Sequence, residues 1–343
     1  MKLTRFKRRG YVQQPTPVCF LPGLSQALGG EVNIYIKRDD FLPGCAGGNK
    51  TRKLDFVMAD VLEKKADCVI TCGGVQSNHC RLTLSWAVHE GLDCYLVLEE
   101  RVKNSYDPRA TGNNLLYHLM GVKGIKVIPG DASSPEAMQE LADELIREGR
   151  RPYIIPGGAS NPMGTLGYMN CAQEITQQMF QMDTDIQYVV VPSGSAGTQA
   201  GLLTGFYVDQ TNIEVIGCDV SRPADAQTEK VRNLASDTLH YLGINEEFPS
   251  ERVHCFDKFF YPGYSLPNAG MVEAVRLMAR TESILLDPVY SGKAMAGLID
   301  LLRTGYFPKG SNVLFIHTGG VPALYKYSSA FFESSGGNGK TSF

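Results

Sequence analysis

Four glycine-rich turns hold the residues whose types and spacing could do chemistry. The most unusual is Gly47-Gly48-Asn49-Lys50-Thr51-Arg52-Lys53, which opens a helix expected over about 51–65 with Leu54, Val57, Met58, Val61 and Leu62 on one face. A helix N-terminus carries partial positive charge, so each cation there costs about 0.3–1 kcal/mol. Lys50, Arg52 and Lys53 break that rule together, and a local rule broken this plainly marks a candidate functional site. The helix end and the two cationic neighbours disfavour the ammonium form of Lys50 and should lower its pKa. A neutral amine is what Schiff-base chemistry requires. A solvated basic turn or an anion site explains the same residues equally well, and the two readings stand level here.

Gly73-Gly74-Val75-Gln76-Ser77-Asn78-His79 opens a second helix, whose body includes Leu82, Leu84, Trp86 and Val88. Exposed amides with the Ser77 hydroxyl and Asn78 amide suit a carboxylate or phosphate. An ordinary N-cap, Ser77 or Asn78, needs only one such residue. Ser193-Gly194-Ser195-Ala196-Gly197-Thr198-Gln199-Ala200-Gly201 follows an apolar run and has the small residues and hydroxyls of a phosphate cup. His317-Thr318-Gly319-Gly320 offers a hydroxyl near a strand end. Tyr264 and Tyr290 sit in turn-like segments and, on their own, read as core aromatics with satisfied hydroxyls. Cys68, Cys72, His79 and Cys80 match no zinc spacing, so no metal is expected. Ser334–Thr341 superficially suggests a P-loop, but Ser334 occupies the first glycine position and no strand and helix can flank it.

Short apolar runs ending in polar or glycine turns must position these motifs: Val32–Lys37, Cys68–Cys72, Cys94–Leu98, Tyr153–Ile155, Tyr188–Val191, Val215–Val220 and Val313–Ile316. Continuous runs of this kind suit strands buried on both faces. Helical periods between them, including Ala137–Ile146, 268–280 and 292–303, make the chain an α/β protein with largely parallel sheets. Ligands then bind beyond the carboxyl ends of the strands, where the four turns lie. Pro156–Pro162 and 99–112 are the expected joints.

The composition fits this picture. The chain has 343 residues, enough for about two domains, with 43% hydrophobic residues and a net charge of −3. That balance excludes a broad basic surface for nucleic acid. No apolar run reaches the roughly 18 residues of a membrane span, and MKLTRFKRRG is no secretory signal. Nine scattered cysteines read as reduced thiols of a cytoplasmic protein.

Taken together, Gly47–Leu54, Gln76–His79, Ser193–Gly201 and Asp287-Pro288-Val289-Tyr290 resemble the pyridoxal-phosphate enzymes that unite 1-aminocyclopropane-1-carboxylate deaminase with D-cysteine desulfhydrase. The similarity runs from the N-terminus to about residue 328, with the motifs in the same order. It implies a tryptophan-synthase-β-like (fold type II) pair of open twisted α/β domains. Residues 1–53 with 165–330 would form the large cofactor-binding domain, 54–164 the small one and 331–343 a flexible tail, with the cofactor in the crevice. It further implies that Lys50 holds pyridoxal 5'-phosphate as a Schiff base. Gly194, Ser195, Ala196, Gly197 and Thr198 would hold the phosphate, Asn78 would contact the ring hydroxyl, and Ser77, Asn78 and His79 would receive the substrate carboxylate. Catalysis would fall to Lys50, Ser77, Tyr290 and Tyr264, with Ser291 and Thr318 near the pyridine nitrogen.

Departures at three positions separate the branches of this family. The ring-opening deaminases carry Glu and Leu where this chain has Ser291 and Thr318, and Gln where it has His79. Hydroxyls leave the ring nitrogen less fully protonated than a carboxylate would, and the weaker electron sink suits β-elimination. The resemblance therefore implies a carbon–sulfur lyase releasing hydrogen sulfide, pyruvate and ammonia from D-cysteine, in a homodimer. Pro156–Pro162 and Leu301–Gly310 also resemble L-cysteate sulfo-lyase, which expels sulfite. A ring-opening deaminase and a non-catalytic ligand-binding protein are further alternatives, the last opposed by the costly setting of Lys50.

Overall fold

The computed structural model describes residues 2–332. Ten strands form two separate sheets: β1 (Val18–Phe20), β2 (Asn33–Lys37), β3 (Cys68–Gly74), β4 (Asp93–Glu100), β5 (Gly124–Pro129), β6 (Pro152–Ile155), β7 (Tyr188–Ser193), β8 (Glu214–Asp219), β9 (His254–Phe256) and β10 (Asn312–Ile316). The helices are α1 (Pro22–Ala27), α2 (Lys50–Glu63), α3 (Asn78–His89), α4 (Asn113–Leu119), α5 (Ser134–Arg147), α6 (Pro162–Met182), α7 (Gly197–Val208), α8 (Ala224–Tyr241), α9 (Ala269–Glu282), α10 (Ser291–Arg303) and α11 (Val321–Lys326).

The larger sheet runs β1-β2-β10-β7-β8-β9 and the smaller β5-β4-β3-β6. Every pairing is parallel except β1 with β2, where Val18 faces Lys37. The apolar runs are continuous because both sheet faces are covered. Along β10, Val313 and Phe315 enter one core while Leu314 and Ile316 enter another. β3 does the same, with Val69 on one side and Cys68, Ile70 and Cys72 on the other. Strand order reverses between β3 and β6, and β10 is inserted between β2 and β7. The turns after β2, β3, β6, β7 and β10 therefore meet at strand carboxyl ends, where parallel sheets bind ligands.

Helices α2 and α6 pack on one another, and a buried charge network ties them together. Arg52 donates to both Asp39 oxygens (2.8 and 2.9 Å) and to both Glu174 oxygens (2.8 Å each). Tyr168 Oη donates to Asp39 (2.6 Å), and Lys37 Nζ reaches Glu174 (3.0 Å). The expected divisions at 53/54 and 164/165 thus fall inside α2 and α6, not in loops. Of the expected tail, Phe331 is tied down by Arg276, which donates to its carbonyl (2.9 Å). Residues 333–343, which include Ser334–Thr341, lie outside the described residues. All nine cysteines are free thiols, six of them buried. Among the described residues no helix is long and apolar enough to cross a membrane.

Candidate active site

Lys50 is the first residue of α2, and the loop before it is clamped from two sides. Fully buried Arg81 of α3 donates to the carbonyls of Cys45 and Gly47 and to Asn113 Oδ1. From the other side, Asn49 N donates to Thr318 O (3.1 Å). Gly47 (φ +63°) must be glycine, since a Cβ would lie 2.1 Å from Asp40 O. Lys50 Nζ donates to Asn49 Oδ1 (3.0 Å), and Asn49 Nδ2 donates to Thr198 (3.0 Å), joining the amine to the Ser193–Gly201 turn.

The pKa of Lys50 is lowered to about 8: burial is the main cause, Arg81 adds to it, and Asp287 opposes it. The direction agrees with the sequence, and the causes agree in part: Arg52 is neutralised by Asp39 and Glu174, whereas Lys53 does repel Lys50, and burial and Arg81 are causes the sequence did not suggest. Lys53 is itself buried, and its pKa falls well below the usual value through burial and then through Lys50.

The second turn follows β3. Ser77 is the N-cap of α3, its Oγ accepting from Cys80 N (3.1 Å). Its hydroxyl proton remains available to the cavity it lines. Asn78 Oδ1 accepts from Asn113 (2.9 Å), leaving its amide NH2 for a ligand. His79 lines the cavity but has both ring nitrogens engaged. Thr71 Oγ1, which donates to Ile155 O, lies 2.7 Å from Nε2, and Thr83 Oγ1 lies 3.4 Å from Nδ1. With its hydroxyl proton on Ile155, Thr71 accepts from an Nε2–H, and Nδ1 is left to accept from Thr83. Burial holds the His79 pKa well below its usual value, with Lys50 and Lys53 contributing, so the ring is neutral.

The third turn runs from β7 to the start of α7, with Ala196 at φ +75°. It fits a phosphate on three counts. Gly197 N, at the helix start, donates to Ser160 Oγ (3.2 Å), a replaceable partner. A Cβ on Gly197 would fill the cradle, lying 2.6 Å from Ser160 Oγ and 2.9 Å from Lys53 Nζ. Lys53 has only Gly158 O (3.2 Å) and Ser160 Oγ (3.3 Å) as hydrogen-bond partners among the described residues, so charging this buried amine calls for a counter-charge that they do not supply. A dianion beside a helix N-terminus supplies it.

Tyr264 and Tyr290 close the site, their hydroxyls 2.6 Å apart. Burial raises both pKa values, so both stay protonated, and the pair keeps one proton more than its shared bond uses. Tyr290 is held by Asp287, a buried carboxylate that accepts from the amides of Val289, Tyr290 and Ser291 and from Ser291 Oγ. Ser291 is fully buried with its hydroxyl committed to Asp287, so of the expected pair only Thr318 lines the cavity. Gly320 (φ +102°) lets that turn approach, since a Cβ would lie 2.5 Å from Asn78 Nδ2.

The structure thus brings Lys50, Ser77, Asn78, His79, Gly194, Ser195, Ala196, Thr198, Tyr264, Tyr290 and Thr318 to two adjoining lobes of one cavity, with Gly197 behind the cup. The lobe holding Thr318 contains no carboxylate. The chain's own sequence did not single out Arg81, Asn113 or Ser160, and no local signal marks them. No cluster of three or more metal-ligating side chains occurs among the described residues.

An amine of lowered pKa, a turn of small residues and hydroxyls that fits a phosphate, and free donors on Ser77 and Asn78, gathered at the strand ends of two largely parallel sheets, are the features expected of a pyridoxal-phosphate enzyme. The chain belongs to that family: the model for pyridoxal-phosphate-dependent enzymes matches residues 11–319. It is 44% identical to the D-cysteine desulfhydrase of Salmonella typhimurium over 326 residues, 95% of this chain and 97% of the relative. It is 43% identical to that of Salmonella paratyphi C over the same share of each chain. Among solved structures it superposes on a homologue of 1-aminocyclopropane-1-carboxylate deaminase with a TM-score of 0.85 at 37% identity, covering 96% of each chain. O-ureido-L-serine synthase shares the fold, with a TM-score of 0.66 at 18% identity, covering 93% of this chain and 94% of that one.

Proposed function

We propose that the protein is a pyridoxal-phosphate-dependent lyase that β-eliminates D-cysteine to pyruvate, ammonia and hydrogen sulfide. The observation that carries this is Lys50: a half-buried amine with a depressed pKa, set between a carboxylate receptor and a phosphate cup, in a lobe without carboxylates. When bound there, pyridoxal phosphate supplies an electron sink for the pair left when the Cα proton is removed.

The chain's residues supply the rest. Lys53 and the start of α7 would hold the phosphate, and Asn49 links that cup to Lys50. With a pKa of about 8, roughly a tenth of Lys50 is neutral at pH 7, enough for it to capture the cofactor and act as the base for the Cα proton. The Ser77 hydroxyl and Asn78 amide donate to the substrate carboxylate. Neutral His79 forms the wall between the lobes and stays out of proton transfer. The Tyr264–Tyr290 pair presents its spare proton to the cavity beside the departing sulfur. Thiolate is a stable anion near neutral pH and leaves with little acid help. Thr318, which lines the lobe, would offer the ring nitrogen a hydroxyl where a carboxylate would protonate it more fully, favouring elimination of a good leaving group over cleavage of an unactivated ring bond.

We keep the division into a domain of 54–164 around the smaller sheet and a domain of 1–53 with 165–330 around the larger, α2 and α6 spanning both. The homodimer and cytoplasmic residence also stand as proposals, the latter supported by nine free thiols. The test of function is product analysis with the purified enzyme. D-Cysteine should yield sulfide, pyruvate and ammonia in equal amounts, and Lys50→Ala should lose at least a thousandfold in rate. A Lys50→Ala enzyme of near wild-type rate would refute the assignment.

A further inference from the structure

Tyr264 has no helix or strand to hold it. It lies in the loop of residues 257–268 between β9 and α9, whereas Tyr290 immediately precedes α10, its carbonyl accepting from Ala294 N (2.9 Å). Their hydroxyls still come within 2.6 Å of one another, so the loop must be fixed against that helix. Lys293, on the first turn of α10, is placed to fix it. The side chain is fully buried, and Nζ donates to Phe260 O (3.0 Å) and Gly263 O (2.8 Å), the carbonyls at either end of the turn that leads into Tyr264. The loop has other ties, but they act elsewhere. Asn268 donates to the carbonyls of Phe259 (3.0 Å) and Tyr261 (2.8 Å), yet it also caps α9, so it joins the loop to its own flank. Lys258 pairs with Asp300 further along α10, at the surface. The start of α10 is a firm base for an anchor: Asp287 accepts from three of its amides, and a Cβ on Gly292 would lie 2.7 Å from Asp287 O and 2.8 Å from Val275 Cγ2.

Lysine is a costly choice for this position. Lys293 has no ion-pair partner among the described residues, and Asp287 acts on it only from beyond ion-pair distance. Burial lowers its pKa to about 8, against the pull of Asp287, so it is still mostly charged at neutral pH. An unpaired buried cation weakens a fold, and an apolar side chain of similar length would avoid that cost. What lysine adds is a pair of charge-assisted hydrogen bonds, roughly twice as strong as neutral ones, from one helix to two carbonyls of one loop. We infer that Lys293 is a positioning residue for the reaction: its two hydrogen bonds hold the loop at the distance from α10 at which Tyr264 and Tyr290 share their bond beside the cavity. This role rests on the function proposed for the tyrosine pair. Without the ammonium group the loop keeps its ends, but Tyr264 is free to leave Tyr290.

The test is a double-mutant cycle on the holoenzyme with Lys293→Met, Tyr264→Phe and the two combined, using D-cysteine. Lys293→Met should keep the visible cofactor band while kcat falls roughly tenfold to a hundredfold, the worth of one hydrogen bond to a charged group. In the Tyr264→Phe enzyme, which has already lost the shared bond, the same substitution should cost less than about twofold, because residues acting through one contact are not additive. Amide hydrogen exchange should quicken in residues 258–266 of Lys293→Met and stay unchanged in α2, which carries Lys50. Lys293→Gln, with two N–H donors on a shorter arm, is read in the same way if Lys293→Met does not fold. Three results would overturn the inference: an unchanged kcat in Lys293→Met, an equal loss with and without the Tyr264 hydroxyl, or unchanged exchange in the loop. A wild-type enzyme that releases no sulfide from D-cysteine would instead overturn the proposed function, and loop exchange would still decide whether Lys293 holds the loop.

Discussion

Replacing Lys50 by methionine should stabilise the cofactor-free protein, and the gain should depend on pH in a way that identifies its source. The amine's pKa falls from 10.5 in the unfolded chain to about 8 in the folded one. Each tenfold change in proton binding is worth about 1.36 kcal/mol, which sets a ceiling of about 3 kcal/mol on the cost of holding a charged Lys50. Lys50 is only partly buried and opens on the cavity, so screening reduces the expected cost to about 1–2 kcal/mol. Between pH 8 and 10.5 the unfolded state binds more protons than the folded state, so wild-type stability rises with pH across that window. Below pH 8 the penalty is fully present, and above 10.5 it is gone. Urea unfolding of cofactor-free wild type and Lys50→Met at pH 7 and near pH 10 reads the difference, in which the other titrating groups cancel. The variant should be more stable by about 1–2 kcal/mol at pH 7, and its advantage should shrink toward pH 10. An advantage that stays constant would reflect methionine packing alone, and no advantage at pH 7 would mean that Lys50 carries no electrostatic strain.

Two further substitutions probe the surroundings. Gly197→Ala places a Cβ 2.6 Å from Ser160 Oγ and 2.9 Å from Lys53, an overpacking of about 1–3 kcal/mol, so the dissociation constant for pyridoxal phosphate should rise roughly tenfold to a hundredfold by fluorescence titration. An unchanged constant would place the phosphate elsewhere. Arg52→Met strips Asp39 and Glu174 of their shared partner and should cost about 3–5 kcal/mol in urea unfolding, whereas a loss under about 1 kcal/mol would show that Lys37 and Tyr168 suffice to hold that network.

The parts of the fold that could be read from sequence are those with a distinctive local pattern. Six strands stood out because burial on both faces gives short apolar runs, and β2 because Val32–Lys37 alternates. β5 escaped notice because it is a partly exposed edge strand interrupted by Lys126, and β1 and β9 because three residues carry no period. α7 has no polar face to reveal it, since residues 197–206 are all buried. α6 could have been anticipated, for Asn161 caps it and Pro162 opens it. The turns of the site were visible because close approach demands glycine and unusual charge placement. Arg81, Asn113 and Ser160 are ordinary residues locally and acquire their roles only when α3, α4 and the turn after β6 converge on the cavity. The direction of the Lys50 shift was legible for a similar reason, while its main causes, burial and Arg81, belong to the tertiary structure.

The central claim is that Lys50 carries the cofactor. Borohydride reduction of the purified holoenzyme, followed by proteolysis and mass spectrometry, tests it most directly. The account predicts a single pyridoxyl adduct on the peptide containing Lys50, with loss of the visible absorbance band and of sulfide release from D-cysteine. An adduct on Lys53 or on any other lysine, with Lys50 unmodified, would contradict it.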